Sequence, residues 1–230
     1  MYNLQQSFSK VIYYVGNISK QPIQYTLDGK CFTINTPRKI FISKNFFRGF
    51  VCKSCGRCCK VNFYNCYSEN EFNIFKKVYP EKIQMFDKKD LIVNNTKCNV
   101  YVTSHNDDGI CPYLSVDNMC TVHEINPLHC AIPLMKFKNV DNITYITKEP
   151  YGRNWQFGCK AELTKQPITP YMQPRDLYLL TRVKALCDEW GVDTYIDKII
   201  DTLKNNTTIQ TIEVTDKTRN LSSFTKPKTI

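Results

Sequence analysis

The sequence predicts an α+β, loop-rich fold with β hairpins toward the N-terminus and a helical hairpin toward the C-terminus. Three observations support this prediction: an Asp-Gly turn between alternating segments, a dense run of cysteines at residues 52–59, and two segments of helical periodicity after Pro174. At 230 residues the chain is long enough for one sizeable core.

The β structure is predicted from turn chemistry and alternation. Asp28 and Gly29 suit a two-residue hairpin turn. The turn predicts two cross-strand pairs, Tyr25 with Phe32 and Ile23 with Ile34. Apolar residues also alternate, and so predict further strands, at Ile40 and Ile42, at Val100 and Val102, and at Ile143 and Tyr145.

Helices are predicted in three places. Ser68 and Glu71 form a capping box for a short helix after the cysteine run. A longer helix begins at Pro174 and ends at Gly191, and Asp193 is expected to cap a second one. Apolar residues recur on these helices at helical spacing: Leu179, Leu180, Val183, Leu186, Cys187 and Trp190, then Ile196, Ile199, Ile200 and Leu203.

These patterns divide the chain into four parts. Residues 1–50 are predicted as an N-terminal β extension, 51–165 as a cysteine-cluster domain, and 166–212 as a helical hairpin packed on it. Residues 213–230 are polar, with too little apolar material to offset the entropy of ordering, so a flexible tail is expected.

The cellular context is predicted from what the sequence lacks. No apolar run approaches the roughly 18 residues of a membrane span, and the first residues, MYNLQQSFSK, do not have the basic region and apolar stretch of an export signal. We therefore expect a cytoplasmic protein without a membrane partner. In a secreted chain the 12 cysteines would suggest disulfides, but the missing export signal and the length favour free thiols.

The cysteine spacing is typical of metal ligands. The segment CKSCGRCC contains Cys52, Cys55, Cys58 and Cys59, and four more cysteines follow at wider intervals: Cys111, Cys120, Cys130 and Cys159. Cys-x2-Cys steps let thiolates reach one soft metal from a single turn, and the triple run matches the ligands of a [4Fe-4S] cluster. Eight candidates exceed the four that one centre needs, so one or two iron–sulfur centres are expected, with zinc as the alternative. The loop-rich domain is therefore expected to be stapled by this metal site.

Three stretches of the chain resemble the zinc- or iron-chelating cysteine-cluster family known as YkgJ-type: CKSCGRCC, then GICPYLSVDNMCTVHEINPLHCAIP, then FGC. The resemblance covers roughly residues 50–160 and implies the same eight cysteines as ligands. Members often carry Arg before the Pro and after the following Cys, where this chain has Asn126 and Ala131. The resemblance extends to lysine-methylating enzymes of flagellin, but no glycine-rich nucleotide loop is present to support methyl transfer. Whether the chain is an enzyme therefore stays open; an enzyme of this kind would be an iron–sulfur oxidoreductase or a protein-modifying, lysine methylase-like enzyme.

Several other side chains are weaker candidates. Cys66, His123 and His129 are candidates for additional ligands or for groups that hydrogen-bond to the ligands. Cys98 is balanced between ligand and packing residue. Cys31, opposite Thr26 in the hairpin, and Cys187, on the apolar helix stripe, are predicted to be packed thiols.

The net charge leaves the partner open among a protein, a small molecule and a nucleic acid. A formal charge of +10 gives weak support for a nucleic-acid partner. Asp193, Asp197 and Asp201 would repel phosphates from the last helix, which excludes a DNA-reading role for it. Three hypotheses follow: an iron–sulfur protein with a redox or cluster-supported enzymatic role, a zinc-stapled module binding a nucleic acid or protein, and a metal-handling protein.

Overall fold

The described part of the chain contains both strands and helices, as the sequence predicts. The computed structural model describes residues 11–36, 39–42, 46, 48–51, 56, 59–60, 65–103, 110–131, 135–140, 143–148, 162–167, 174–205 and 211–213. The strands are β1 (Ile23–Leu27), β2 (Lys30–Ile34), β3 (Lys39–Ile42), β4 (Arg48–Val51), β5 (Asn65–Ser68), β6 (Asp87–Val93), β7 (Thr96–Thr103), β8 (Met135–Val140), β9 (Ile143–Lys148), β10 (Glu162–Pro167) and β11 (Thr211–Glu213). The helices are α1 (residues 11–16), α2 (Glu69–Val78), α3 (Leu128–Ala131), α4 (Pro174–Glu189) and α5 (Ile196–Asn205), with 3-10 turns at Pro80–Met85 and His123–Ile125.

The predicted N-terminal hairpin is confirmed. Asp28 and Gly29 have φ angles of 50° and 74°, the positive values that a two-residue hairpin turn of this kind requires. The predicted pairs of Tyr25 with Phe32 and of Ile23 with Ile34 form. β1 also pairs with β6, so the hairpin is one edge of the main sheet.

The main sheet is antiparallel and has the strand order β2-β1-β6-β7-β5. Successive side chains of a strand point to opposite faces, so β5 and β7 each supply residues to two layers. Cys66 and Val102 belong to one hydrophobic core, whereas Tyr67 belongs to a second. The sheet therefore separates two interiors with different chemistry.

The first core contains the helices of the C-terminal hairpin. α4 and α5 pack against each other, and their predicted apolar residues are buried in this core. Gly191 ends α4 with φ +63°, as predicted. Residues 11–16 are helical rather than extended, and Val11, Ile12 and Val15 of α1 are buried in the same core.

The helix caps are confirmed in one case and corrected in the other. At α2 the Ser68 hydroxyl accepts from the Glu71 backbone N–H, and the Glu71 carboxylate accepts from the Ser68 N–H. At α5 the cap is Thr194 rather than Asp193: the Thr194 hydroxyl accepts from the Ile196 N–H at 3.4 Å. Asp193 instead forms a salt bridge with Lys20 at 2.9 Å.

Two smaller sheets complete the described fold. β11, β3, β9 and β8 form a mixed sheet in that order, which confirms the strands predicted at Ile40 and Ile143. β10 pairs with β4. Within the described residues, no helix is both long enough and apolar enough to cross a lipid bilayer.

A buried ion pair attaches α4 to β9. The Lys148 ammonium lies 2.5 Å from the Asp176 carboxylate, and the two side chains are only 3% and 8% exposed. Lys148 also donates to the Arg48 carbonyl at 3.2 Å. A buried charge that loses its partner is strongly destabilising, so this pair determines where the first turn of α4 sits.

We expect Lys148→Met to lower the free energy of unfolding by about 3–5 kcal/mol, because Asp176 would keep a buried negative charge without the ammonium. Urea denaturation measures this loss. The double variant K148M/D176L should regain most of it, since both charges are then removed.

The matched control is Lys97→Met. Lys97 pairs with Asp90 at 2.9 Å, but these side chains are 67% and 60% exposed, so little stability should be lost. Equal unfolding free energies for K148M and K97M would contradict the assigned role of the buried pair.

Candidate metal centre

The second core lies on the opposite face of the main sheet and contains cysteines. Its buried members are Tyr67, Phe75, Cys111, Tyr113 and Val122, and Cys59 and Cys120 pack against it. Phe75 comes from α2, and Tyr67 comes from β5. Cys59, Cys111 and Cys120, three predicted ligands that are distant in sequence, thus meet in the second core.

A tight turn brings Cys59 to Cys111. Gly56 has φ +63°, and the Cys59 N–H donates to the Gly56 carbonyl at 2.9 Å. The Cys111 N–H donates to the Cys59 carbonyl at 2.7 Å, so the two cysteines are neighbours through their backbones. A Cβ at position 56 would meet the Asn118 side chain at 2.9 Å, so this turn requires glycine for both its angle and its space.

A compact loop then carries Cys120 back toward Cys111. Leu114 and Cys120 form an isolated antiparallel bridge. The Thr121 N–H and hydroxyl both donate to the Tyr113 carbonyl, at 2.8 and 3.0 Å. The loop folds on itself through its backbone, which holds Cys120 on the same side as Cys111.

Asn65 connects Cys111 to Cys130. Its Nδ2 donates to the Cys111 sulfur at 3.5 Å and to the Thr103 hydroxyl at 3.2 Å. Its Oδ1 accepts from the Cys130 thiol at 3.8 Å. Two of the predicted ligands therefore contact opposite ends of one carboxamide. Cys130 is exposed, which leaves this side of the cluster reachable from solvent.

Two buried tyrosine hydroxyls border the thiols. Tyr67 and Tyr113 are 0% and 2% exposed, and neither hydroxyl has a hydrogen-bond partner among the described residues. Thr103 lies near the Tyr113 oxygen and lowers its pKa, but without acceptable hydrogen-bond geometry. Burial raises the pKa of both tyrosines above the usual value, and the adjacent thiols of Cys111 and Cys130 raise it further.

The segment that precedes Cys130 is held by a mostly buried ion pair. Arg182 of α4 lies 2.5 Å from the Glu71 carboxylate, with side chains 16% and 18% exposed. The same guanidinium donates to the Asn126 carbonyl at 2.6 Å. Glu71 also accepts from the Leu128 N–H at 2.9 Å, so α2 and α4 together fix the start of α3.

Several weaker candidates lie away from this cluster. Cys66 is buried in the first core, on the other face of β5 from Tyr67. Burial raises the pKa of Cys66 well above its usual value, and raises those of Cys98 and Cys187 to about 11 and about 12. All three thiols lie among the apolar side chains of the first core.

The remaining predictions have mixed outcomes. His123 is exposed at the start of a 3-10 turn, and its neighbour Val122 occupies the core instead. His129 lies in α3 beside Cys130. Cys31 contacts the Thr26 hydroxyl at 2.9 Å across the hairpin as predicted, but it is exposed rather than packed.

Part of the predicted ligand set falls outside the described residues, namely Cys52, Cys55, Cys58 and Cys159. Within the described residues, no group of three or more His, Cys, Asp or Glu side chains has the arrangement of a metal site. The donor chemistry of Cys59, Cys111, Cys120 and Cys130 suits a soft metal, with further ligands required from the rest of the chain.

Three residues of this region were not predicted from sequence as parts of a site. Asn65 is a polar residue in a strand whose four residues are all buried, which is a local indication of a special role. Tyr113 lies two residues after Cys111, within the Cys-Pro-x-Leu step. Arg182 lies on a helix far along the chain and gives no local indication.

Comparisons with family models, with curated proteins and with solved structures give no match for this chain. The resemblance to the YkgJ-type family therefore stays a prediction.

We expect Arg182→Met to destabilise the protein by about 3 kcal/mol at neutral pH. Burial raises the pKa of Glu71 above its usual 4.5, and Arg182 opposes that rise. Without Arg182 the folded-state pKa of Glu71 rises further above its unfolded-state value. The variant therefore keeps its stability below the unfolded-state pKa and loses stability as the pH rises through the folded-state pKa. The loss should therefore be larger at about pH 8 than at about pH 4.

Urea denaturation at the two pH values measures this difference. Lys184→Met is the control on the same helix, because Lys184 pairs with Asp197 at 3.0 Å on the surface. It should leave stability unchanged at both pH values. A loss for R182M that does not vary with pH would contradict the coupling of Glu71 to Arg182.

Proposed function

We propose that this chain is a cytoplasmic, cysteine-ligated metal protein and that its centre is a [4Fe-4S] cluster with a redox or cluster-supported enzymatic role. The proposed ligands are Cys52, Cys55, Cys58, Cys59, Cys111, Cys120, Cys130 and Cys159. They exceed one cluster's requirement, so a second centre is part of the proposal.

The observation that supports the proposal most strongly is the meeting of Cys59, Cys111 and Cys120 in one core, with Cys130 joined to Cys111 through Asn65. Packing alone does not account for this arrangement. The thiols that fill ordinary core space, such as Cys66 and Cys187, lie in the other core. The described cysteines are thus segregated, and those in the second core are all among the proposed ligands.

The buried tyrosine hydroxyls give independent support. A buried donor without a partner is costly, and such groups in native proteins usually indicate a missing partner, for example an ion. Tyr67 and Tyr113 border thiols that become anionic when they bind metal. A filled centre would supply acceptors for both hydroxyls.

Zinc is the competing metal, because the same thiolates would bind it tetrahedrally. In that form the centre would be a structural staple for a module that binds a nucleic acid or protein partner. The spacing Cys52-x2-Cys55-x2-Cys58 favours iron–sulfur chemistry over zinc. When bound, the cluster would supply one-electron chemistry, and the surrounding aromatic layer would limit solvent access to it.

We expect Cys111→Ser and Cys130→Ser, each made alone, to reduce the iron and acid-labile sulfide of protein purified without oxygen to a small fraction of the normal content. A serine hydroxyl is a poor ligand for a soft metal, and both positions are proposed ligands. Elemental analysis and the brown colour of the protein report the loss.

Cys31→Ser is the matched control, because Cys31 is an exposed thiol in the hairpin. It should retain the normal metal content. Full iron and sulfide in C111S and C130S would contradict the ligand assignment, and stoichiometric zinc in colourless protein would replace the cluster with the zinc alternative.

A further inference from the structure

One edge of the main sheet is a surface that the candidate centre does not use. Within the described residues β2 is the last strand on its side of the sheet, and β5, which carries Asn65 and Tyr67, is the last strand on the other side. A strand at a sheet edge presents N–H and C=O groups that can pair with another chain. The edge formed by β2 is therefore a candidate interaction surface.

The hydrogen bonds of Gln24 show which backbone groups of β2 point outward. The Gln24 carbonyl accepts from the Asn94 N–H at 2.8 Å, and the Gln24 N–H donates to the Asn94 Oδ1 at 2.8 Å. Both groups of Gln24 thus point away from β2. Thr33 lies opposite Gln24, so these two residues form a non-hydrogen-bonded pair. The N–H and C=O of Thr33 therefore point to the outer edge, and by the two-residue alternation those of Cys31 do the same.

β2 lacks the features that usually protect a strand edge. Its sequence, KCFTI, contains no proline, and it pairs with β1 without a bulge. Its one charged residue is Lys30, beside the turn. On the core side α1 packs closely on the strand, since a Cβ at Gly16 would lie 2.5 Å from the Ile34 Cγ2. On the other face the side chains of Cys31 and Thr33 are exposed. Native strand edges are usually blunted or covered, so this edge has the character of an interface.

A second copy of the chain fits this edge. In an antiparallel pair with a two-fold axis at Phe32, Cys31 lies opposite Thr33 of the partner subunit. These are the residues whose backbone groups point outward, so each such pair exchanges two hydrogen bonds. Phe32 then faces Phe32 of the partner subunit, and Lys30 faces Ile34 of the partner subunit. No like charges are therefore opposed across the axis.

The side-chain pairs of such a dimer are of kinds that already occur inside the hairpin. Across β1 and β2, Cys31 contacts the Thr26 hydroxyl at 2.9 Å, and Phe32 stacks on Tyr25 with ring centroids 5.0 Å apart. In the dimer Cys31 meets another threonine and Phe32 another aromatic ring. An axis at Cys31 or at Thr33 would instead pair residues of β2 with residues beyond the ends of the strand. The axis at Phe32 is thus the register that uses all of β2.

We propose that two copies of this chain associate through their β2 strands, antiparallel and with the two-fold axis at Phe32, so that two five-stranded sheets become one continuous sheet. The candidate centre lies beside β5, at the far side of each sheet, so this inference does not depend on the proposed function. Two short strands bury less than the roughly 1,000 Å² of a stable interface, so the dimer should dissociate on dilution.

Sedimentation velocity over a range of protein concentrations measures the dimer. Thr33→Pro should weaken it by about thirtyfold, because each dimer loses two N–H donors. The Thr33 N–H points outward, so a proline is tolerated there and T33P should keep the far-ultraviolet circular dichroism of the unaltered protein. Thr33→Val is the matched control, since it keeps the N–H and should dimerise as tightly as the unaltered protein.

A charge exchange tests the register. C31K/T33K places lysines opposite each other and should weaken the dimer, whereas C31E/T33K places opposite charges together and should dimerise at least as tightly as the unaltered protein. With an axis at Cys31 or at Thr33, C31E/T33K would oppose like charges, so a weaker dimer for this variant would overturn the register.

Two other results would overturn the inference as a whole. The first is equal dimerisation of T33P and T33V. The second is an unaltered protein that stays monomeric at every concentration, which would leave the β2 edge to a strand of a different protein.

Discussion

The two-residue alternation of the main sheet is the constraint on which the described structure depends. On β5, Cys66 points into the first core, which contains α4 and α5, whereas Asn65 and Tyr67 point to the side of the second core and its clustered thiols. On β7, the Thr103 hydroxyl accepts from Asn65 on that same side. A one-residue shift of register would exchange the residues that face the first core with those that face the second core, and would leave polar groups in the first core. The register of the sheet therefore places Cys66 in the first core and Asn65 and Tyr67 on the side of the clustered thiols.

Helices α2 and α4 hold the segments that carry the clustered cysteines against that sheet. Glu71 belongs both to the capping box of α2 and to the ion pair with Arg182, and it also accepts from the backbone of Leu128. Glu189 of α4 accepts from the Glu69 and Asn70 N–H groups at 2.9 and 3.3 Å, which places a carboxylate at the positive end of α2. α4 thus contacts the first turn of α2 at two points, through Glu189 and through Arg182. The C-terminal hairpin is in this sense part of the framework of the candidate centre.

Local features of the fold were predictable, and long-range ones were not. The turn at Asp28 and Gly29 and the cap at Ser68 depend on neighbouring residues, so the sequence pattern was sufficient for them. Asp193 and Thr194 are both able to cap a helix. The choice between them depends on Lys20, which pairs with Asp193 from a distant segment. No local pattern could reveal that choice.

The candidate centre likewise combines residues that were predicted from the sequence with residues that only the structure revealed. Of the closely spaced run of cysteines, Cys59 is the member that the structure describes, and it lies in the second core. Cys111 and Cys120, which join it there, were expected from the resemblance rather than from local spacing. The residues that organise them had to be found in the structure: Arg182 meets Glu71 across 111 positions, and Asn65 meets Cys111 across 46. The helix at residues 11–16 was not predicted, because the hairpin that follows it led to a β assignment for residues 1–50. Val11, Ile12 and Val15 nevertheless have helical spacing.

The central claim is that sulfur atoms from separate segments surround one inorganic centre. X-ray absorption at the metal edge, on protein purified without oxygen, tests it most directly because it reports the elements bound to the metal. We predict a shell of sulfur neighbours, with a short metal–metal distance if the centre is a cluster. A shell of nitrogen and oxygen alone, or protein that contains no bound metal, would contradict the account.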